Sequence, residues 1–287
     1  MTAATAPAAR TAPRAVERRG VTFRGVLASE WTKLTSLRST WWSAAVTVVV
    51  STVITYLSAE ASSVNPTYYP LENLTSGLVL GQLGPVVLGV LVGAGEYRTG
   101  AFRSTFTTVP RRLPVLAAQA VVTAVFAGVL AVVVTAASVL ALVPSAQRRD
   151  VPLDLGADGT PRVMAGMVVL LVGLALIGLG VGVLVRRTAA AMVAAIGLVL
   201  VLPIALMMIP TSGDPMAPYD PDAVTVPGTL MTFLPSGGGQ IIMLPSGYDG
   251  LDGGPDVGAL GGVAVLLAWG VVPLAVAGAR LRSRDVR

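Results

Sequence analysis

Cysteine and histidine are absent from this chain of 287 residues, and lysine occurs only once, as Lys33. Without cysteine the chain can form neither a disulfide nor a thiolate metal site. Without histidine it lacks imidazole ligands and the Ser–His and HExxH catalytic arrangements. A phosphate-binding loop has the form GxxxxGK[ST], but Thr32 precedes the only lysine. The chain therefore lacks this route to ATP, and energy for any driven process has to come from another polypeptide.

Charged residues are scarce as well, at 12% of the chain against 54% hydrophobic residues, and the mean hydropathy is +0.76. A soluble domain carries about 25% charged residues. Six apolar runs contain no Asp, Glu, Lys or Arg, and most approach or exceed the roughly 20 residues that cross a bilayer as a helix. They are residues 41–57, 78–94, 114–143, 163–185, 189–209 and 257–279. The pattern predicts an all-α integral membrane protein, with a six-span domain at residues 41–280 and a cytoplasmic tail at 281–287.

The distribution of basic residues predicts the orientation. Seventeen of the 20 Lys and Arg residues lie in the N-terminal arm, the second and fourth connections and the C-terminal tail. Only Arg148, Arg149 and Arg162 lie in the other three connections. Lys and Arg accumulate on the cytoplasmic side, so both termini are expected in the cytoplasm of a multi-pass protein of the bacterial plasma membrane. Basic residues that flank spans on one side favour anionic lipid headgroups over nucleic acid as a partner.

The N-terminal region divides into two parts. Residues 1–20 are rich in Ala, Thr, Pro and Arg without apolar periodicity, and we expect a disordered cytoplasmic arm. Residues 21–40 are expected to form an amphipathic helix in the inner membrane interface. At 100° per residue its apolar arc contains Phe23, Val26, Leu27, Trp31, Leu34 and Leu37. Glu30 also points into this arc. Glu30 either snorkels or pairs with Lys33 at i,i+3, or it forms a buried ion pair with a cytoplasmic arginine or a partner subunit.

Two glutamines, Gln82 and Gln119, lie well inside predicted spans. A polar side chain in hydrocarbon needs a partner, so both should face protein or a water-filled cavity. They form hydrogen bonds between helices or line a substrate path. No Asp or Glu lies within the six runs to carry protons, which argues against a proton-coupled carrier.

The last predicted external connection, residues 210–256, becomes apolar in its middle but is interrupted by Gly and Pro. A stretch broken in this way cannot cross the membrane as one helix, so short helices that dip into the outer leaflet are expected. The break contains Leu234, Pro235, Ser236 and Gly237. These residues belong either to an ordered external cap or to a gate.

The connection between the second and third runs carries the main functional signal. Phe102, Phe106 and Val109 share one helical face at i, i+4 and i+7, and Pro110 ends the turn. This short amphipathic helix either anchors in lipid or docks into a soluble partner. The predicted contact residues are Glu96, Tyr97, Arg98, Phe102, Arg103, Phe106, Arg111 and Arg112.

In these features the chain resembles the membrane subunits of type-2 ABC exporters over residues 22–280. The matching strings are SEWTKL at 29–34, RSTWW at 38–42, EYRTG at 96–100, PRRLPV at 110–115 and LPSGGG at 234–239. The resemblance implies a permease that pairs with a second copy or a paralogue and binds a separate ATPase, which holds ATP and Mg²⁺. It also implies a connecting helix that includes Glu30, Trp31 and Lys33, a coupling helix near residues 96–112 and external re-entrant helices.

The expected function is ATP-driven export of an amphiphilic drug, peptide or lipid by a dimeric permease, with no cofactor bound by this chain. Two alternatives stay open, namely a membrane anchor or sensor of an ATPase complex and a stand-alone carrier or channel. An enzyme is the least expected function, because no acid, base and nucleophile converge in the spans.

Overall fold

The structure is a computed structural model that describes residues 22–99, 112–157, 159–209, 223–245 and 247–283. Within these ranges the chain is helical and contains no strand. Six helices are long and apolar enough to cross a membrane, which confirms the prediction of an all-α fold with six spans. Spans 1 to 6 are Arg38–Ser62, Pro70–Gly95, Leu113–Arg148, Thr160–Val185, Thr188–Met207 and Gly258–Arg280.

Among the described residues, three further helices lie outside the spans. The N-terminal helix is Phe23–Ser36, and two short helices, Val226–Thr232 and Pro235–Ile242, lie between spans 5 and 6. Span 3 has 36 residues and is therefore about 54 Å long, against roughly 30 Å for the hydrocarbon layer. Its length exceeds one perpendicular crossing, as the sequence indicates.

The N-terminal helix packs against span 3. Thr22 caps its first turn, where the Thr22 hydroxyl accepts a hydrogen bond from the Gly25 amide at 3.3 Å. Val26 and Leu34 are buried, and Val26 clusters with Val115 of span 3. One part of the predicted apolar arc is therefore covered by protein rather than by lipid. The part exposed to the surroundings consists of Phe23, Trp31 and Leu37.

Span 4 lies at the centre of the bundle, where it packs against spans 2, 3, 5 and 6. Its tightest contact is with span 2. A Cβ atom added at Gly89 or Gly93 of span 2 would overlap the backbone of span 4, and one added at Gly178 or Gly182 would overlap or crowd the backbone of span 2. Each pair is a GxxxG motif, which lets two helix backbones approach closely where hydrocarbon offers no hydrophobic driving force.

Span 1 contacts span 2 through hydroxyl side chains. Its buried residues include Thr47, Ser51 and Thr55, which recur at every fourth position. Thr47 lies against Gly84, and Ser51 lies against Gly81. Small hydroxyl residues opposite glycine allow the same close approach of helices. The inner face of span 1 is therefore polar and small, while its other face is apolar and exposed.

The outer spans expose most of their surface. Less than a third of spans 1, 5 and 6 is buried, whereas half or more of spans 2, 3 and 4 is buried. The exposed side chains on the outer spans are mainly Val, Leu, Ile, Met and Trp. Such a surface requires an apolar environment, which in a membrane is supplied by lipid or by another transmembrane chain.

We expect Gly89→Ala to lower the free energy of unfolding by about 1–3 kcal/mol, because the added methyl group forces spans 2 and 4 apart. The midpoint of thermal unfolding in a non-ionic detergent measures the change. Gly128→Ala is the matched control, since its nearest neighbour would be a Val172 methyl group at an ordinary 3.8 Å. Equal midpoints for the two variants would contradict the role assigned to the contact.

Candidate functional site

The candidate site is a cavity with three walls. The first wall is the irregular start of span 2. A 3-10 turn at Pro70–Asn73 is followed by a single helical turn, Leu78–Gly81, and the long helix begins only after Gln82. Span 1 holds this segment, because the Asn73 Oδ1 accepts hydrogen bonds from the Ser58 hydroxyl at 2.8 Å and the Ser62 hydroxyl at 3.1 Å. Non-helical backbone in a membrane protein needs such protein partners.

The second wall is the middle of span 5. The residues from Gly197 to Val201 form a π-helical turn, and the Leu202 amide donates to the Gly197 carbonyl five residues earlier. Pro203 follows directly and has no amide hydrogen, while its ring would crowd the carbonyl of Val199 in a regular α-helix. The wider turn relieves this conflict. Val199 and its neighbour Leu200 border the cavity described below.

The two short helices form the third wall. Thr225 caps the first one, since its hydroxyl accepts from the Gly228 amide at 3.1 Å. In the second, three consecutive glycines contact three different neighbours. A Cβ atom would overlap the Met231 carbonyl at Gly237, crowd the backbone of span 6 at Gly238 and overlap Leu170 of span 4 at Gly239. Glycine allows this helix to lie between the first short helix and spans 4 and 6.

Side chains from spans 4 and 6 hold the short helices in place. Arg162 donates hydrogen bonds to the carbonyls of Ile242 at 3.1 Å and Ile241 at 3.4 Å. A cation at the last carbonyls of a helix is favourable, because these groups lack partners within the helix. The Trp269 indole donates to the Phe233 carbonyl at 2.8 Å. Both contacts anchor the end of a short helix to a span.

A cavity of about 670 Å³ lies between these three walls and the beginning of span 4. Its volume is typical of sites for small organic molecules, and most of its lining is apolar. The described residues that supply polar groups are Tyr69, Glu72, Thr75, Ser76, Gln82, Thr160, Ser236 and Gln240. Glu72 is the single carboxylate in this set.

Ser236 is the most informative polar residue of the cavity. Its side chain is only 4% exposed, and among the described residues its hydroxyl has no hydrogen-bond partner. A buried polar group without a partner costs about 1–3 kcal/mol. Because Ser236 borders the cavity, a rotation of its side chain would let a molecule in the cavity supply the missing hydrogen bond. Gln240 lies one helical turn further on, on the same face of the second short helix.

The rim of the cavity has two kinds of surface. Val79, Ile204 and Met207 form an apolar rim on spans 2 and 5, and all three side chains are well exposed. Tyr69 and Glu72 form a polar rim on the segment that precedes span 2, and both are also exposed. The cavity therefore connects an apolar surface of the bundle with a polar one.

The structure brings together two predicted residues that are distant in sequence. Gln82, predicted as a path residue, and Ser236, predicted as a gate residue, line the same cavity. Gln119 does not join them. It is 7% exposed and lies about 10 Å from the start of span 3, in the turns that contact the N-terminal helix.

The other predicted gate residues have structural contacts. Leu234 clusters with Leu206 and Met231, and Pro235 and Gly237 are buried in the second short helix. The sequence interpretation missed the polar cavity residues Tyr69, Glu72, Thr160 and Gln240. Only the four-residue spacing between Ser236 and Gln240 offered a sequence signal for one of them.

Only some of the residues predicted on the cytoplasmic side can be compared with the structure. Glu30 is buried, at 5% exposed, and its Oε1 lies 2.7 Å from the Lys33 Nζ, so the i,i+3 pair is formed. Trp31 is 40% exposed. The remaining predicted contacts concern residues 96–112. Phe102, Arg103, Phe106 and Arg111 lie outside the described residues, as do the side chains of Glu96, Tyr97, Arg98 and Arg112.

Comparison with protein-family models and with curated protein sequences finds no match for this chain. Its function is therefore argued from the sequence pattern and from the cavity between span 2, span 5 and the short helices.

We expect Gln82→Cys and Gln119→Cys to react very differently with a small thiol reagent. Gln82 borders the open cavity whereas Gln119 is buried, and thiol reactivity requires access, so Gln82→Cys should react about tenfold faster or more. The chain has no native cysteine, so each variant carries one thiol. Mass spectrometry of the purified protein over time gives the rates. Equal rates would show that the cavity is closed or placed elsewhere.

Proposed function

We propose that this chain is the transmembrane permease subunit of a type-2 ABC exporter in the bacterial plasma membrane. It exports an amphiphilic compound with energy from a separate ATPase subunit, which binds ATP and Mg²⁺. The observation that carries the proposal is the cavity of about 670 Å³ with one apolar rim and one polar rim. A molecule that moves from the membrane to water has to pass surfaces of both kinds.

The sequence supports a membrane subunit that takes its energy from a separate partner. A six-span chain without a phosphate-binding loop cannot use ATP by the route common to ABC proteins, so a partner has to supply the energy. The strings at 29–42, 96–100 and 110–115 are those through which the chain resembles the exporter permeases. In the proposed orientation, both termini and the coupling helix are cytoplasmic and the two short helices are the external re-entrant helices and gate.

The packing of the bundle supports a mechanical route from the coupling helix to the cavity. Residues 96–112 join the ends of spans 2 and 3, where the ATPase would bind. Span 2 contacts span 4 through backbone-close glycines, so the two helices move together as a rigid pair. The other end of span 2 carries Gln82 and the polar rim of the cavity. Closure of the ATPase dimer would thus change the shape of the cavity about 25 Å away, the length of the helix from residue 82 to residue 99.

A second permease copy or a paralogue completes the transporter in this proposal. The exposed faces of spans 1, 5 and 6 offer apolar surface for it and for lipid. The apolar rim at Val79, Ile204 and Met207 lies on spans 2 and 5. A partner that covers span 5 would therefore help to close the cavity toward the membrane.

We expect the double variant Phe102→Ser and Phe106→Ser to lose binding of the proposed ATPase subunit. The two rings are the apolar face of the proposed coupling helix, and buried aromatic anchors dominate the stability of protein interfaces. Copurification of the two subunits measures the loss. Tyr248→Ser is the control, because Tyr248 is an exposed aromatic residue on the opposite side of the proposed topology. Undiminished copurification of the double variant would refute the docking role.

Transport itself is tested in proteoliposomes that contain both subunits. ATP-dependent movement of a fluorescent amphiphile is expected, with none when ATP is replaced by a non-hydrolysable analogue. ATP hydrolysis without movement would instead support an anchor or sensor subunit. Movement without any ATPase would support a stand-alone carrier or channel.

A further inference from the structure

We propose that the ligand of the cavity is an amphiphile with a single positive charge, an organic ammonium group. Its charged end lies at Glu72 and Tyr69, and its body extends toward Ser236. The inference deepens the proposed function, on which it rests only for the claim that the bound molecule is exported. It concerns the chemical class of the ligand, which none of the sequence motifs specifies.

The charge of the cavity lining is the first argument. Among the described residues that border the cavity, Glu72 carries the only charge, and no lysine or arginine is present. Tyr69 lies three residues earlier on the same exposed segment. A carboxylate beside an aromatic ring suits an ammonium group, because the ring face attracts cations as well. An anionic headgroup would meet the Glu72 charge without compensation.

The arginines of the same side provide the second argument, because all three are already engaged. Arg148 forms an ion pair with Glu60, and Arg149 donates to the Asn65 carbonyl at 3.0 Å. Arg162 donates to carbonyls of the second short helix. None of these guanidinium groups borders the cavity. An anionic ligand would thus have to break existing contacts, whereas a cationic ligand leaves them intact.

The third argument is the charge of the three connections that the sequence predicts on the outer side of the membrane. The connections at residues 58–77, 144–162 and 210–256 carry eleven Asp and Glu residues but only three arginines. Such a surplus of negative charge raises the local concentration of cations and speeds their arrival, most strongly at low ionic strength. The polar rim at Glu72 opens on this side of the bundle.

Ser236 is a buried polar residue of the site. Its hydroxyl is buried and has no partner among the described residues, while its surroundings in the cavity are mostly apolar. The body of the ligand should therefore be apolar with one group that exchanges a hydrogen bond with Ser236. A purely aliphatic body would leave the buried hydroxyl unpaired and would bind less tightly.

The test uses a matched pair of probes, a fluorescent dodecylamine with an amide link to the fluorophore and its N-acetylated form. They share the alkyl chain and the fluorophore, and acetylation converts the ammonium group into a neutral amide. Purified protein in a maltoside detergent should bind the amine about threefold to fivefold more tightly than the acetylated form, which is the scale of one partly exposed charge pair. Fluorescence anisotropy gives both dissociation constants.

Glu72→Gln should remove the preference for the amine and leave the affinity for the acetylated probe unchanged. Asp150→Asn is the matched control, because it removes one negative charge from the same side and Asp150 is an exposed residue outside the cavity lining. Its backbone φ of 54° is also tolerated by asparagine. An equal preference for the amine in wild type and Glu72→Gln would overturn the proposal.

Ser236→Ala should weaken both probes about threefold or more, while the midpoint of thermal unfolding stays the same or rises. Stability is retained because the change removes a buried hydroxyl that has no partner in the empty cavity. A fall in stability that parallels the loss of binding would show a structural role instead, and would overturn the assignment of Ser236.

The source of the ammonium group is settled by competition. Displacement of the amine by sphinganine, a lipid whose headgroup carries one ammonium group and no phosphate, identifies a lipid headgroup as the ligand, whereas displacement only by a short alkylamine identifies a free amphiphilic amine. Both outcomes support ammonium recognition. These assays contain no ATPase, so selective binding without ATP-driven export would refute the exporter and leave the ligand class standing. ATP-driven export without selective binding of the amine would support the exporter and refute the proposed ligand class.

Discussion

The contact between spans 2 and 4 positions the rest of the bundle. Gly89 and Gly93 lie against the backbone of span 4, and Gly178 and Gly182 lie against the backbone of span 2, so the two helix backbones approach closely. In hydrocarbon, where apolar side chains gain little from leaving lipid, such close packing is a main source of helix association. Span 2 carries the polar rim of the cavity and span 4 carries Arg162, which holds the second short helix. The contact therefore sets the distance between opposite sides of the candidate site.

The cavity is built from irregular backbone, namely a 3-10 turn, a π-helical turn and two short helices. Backbone of this kind leaves carbonyl and amide groups outside regular helical pairing, and in a membrane protein these groups need other partners. Asn73, Thr225 and Arg162 supply or support such partners around the cavity. Of the seven buried hydroxyls that have no hydrogen-bond partner among the described residues, Ser236 is the one that borders the cavity. Hydrogen bonds thus support the frame of the site. Its lining adds the buried Ser236 hydroxyl and one carboxylate, Glu72, to a mostly apolar surface, which is the pattern expected for binding an amphiphile.

The six spans could be predicted because each apolar run carries its own signal, independent of its neighbours. The N-terminal helix was harder, since periodicity locates an apolar arc without telling whether lipid or protein covers it. Val26 and Leu34 proved to contact span 3. Gln82 and Ser236 could each be suspected from polarity or from a break in an apolar run. Their meeting in one cavity depends on tertiary packing, and Glu72 had no local pattern that set it apart from other exposed carboxylates.

The central claim is that an amphiphile passes through the cavity between span 2, span 5 and the short helices while a partner hydrolyses ATP. Gln82→Cys offers the most direct measurement, because Gln82 borders the open cavity and the chain otherwise contains no thiol. The variant is modified with a bulky disulfide-forming reagent before it is assembled with the ATPase in proteoliposomes, and export of the fluorescent dodecylamine is followed. The account predicts that modification stops ATP-driven export and that reduction of the disulfide restores it. Export at an undiminished rate after complete modification would contradict it.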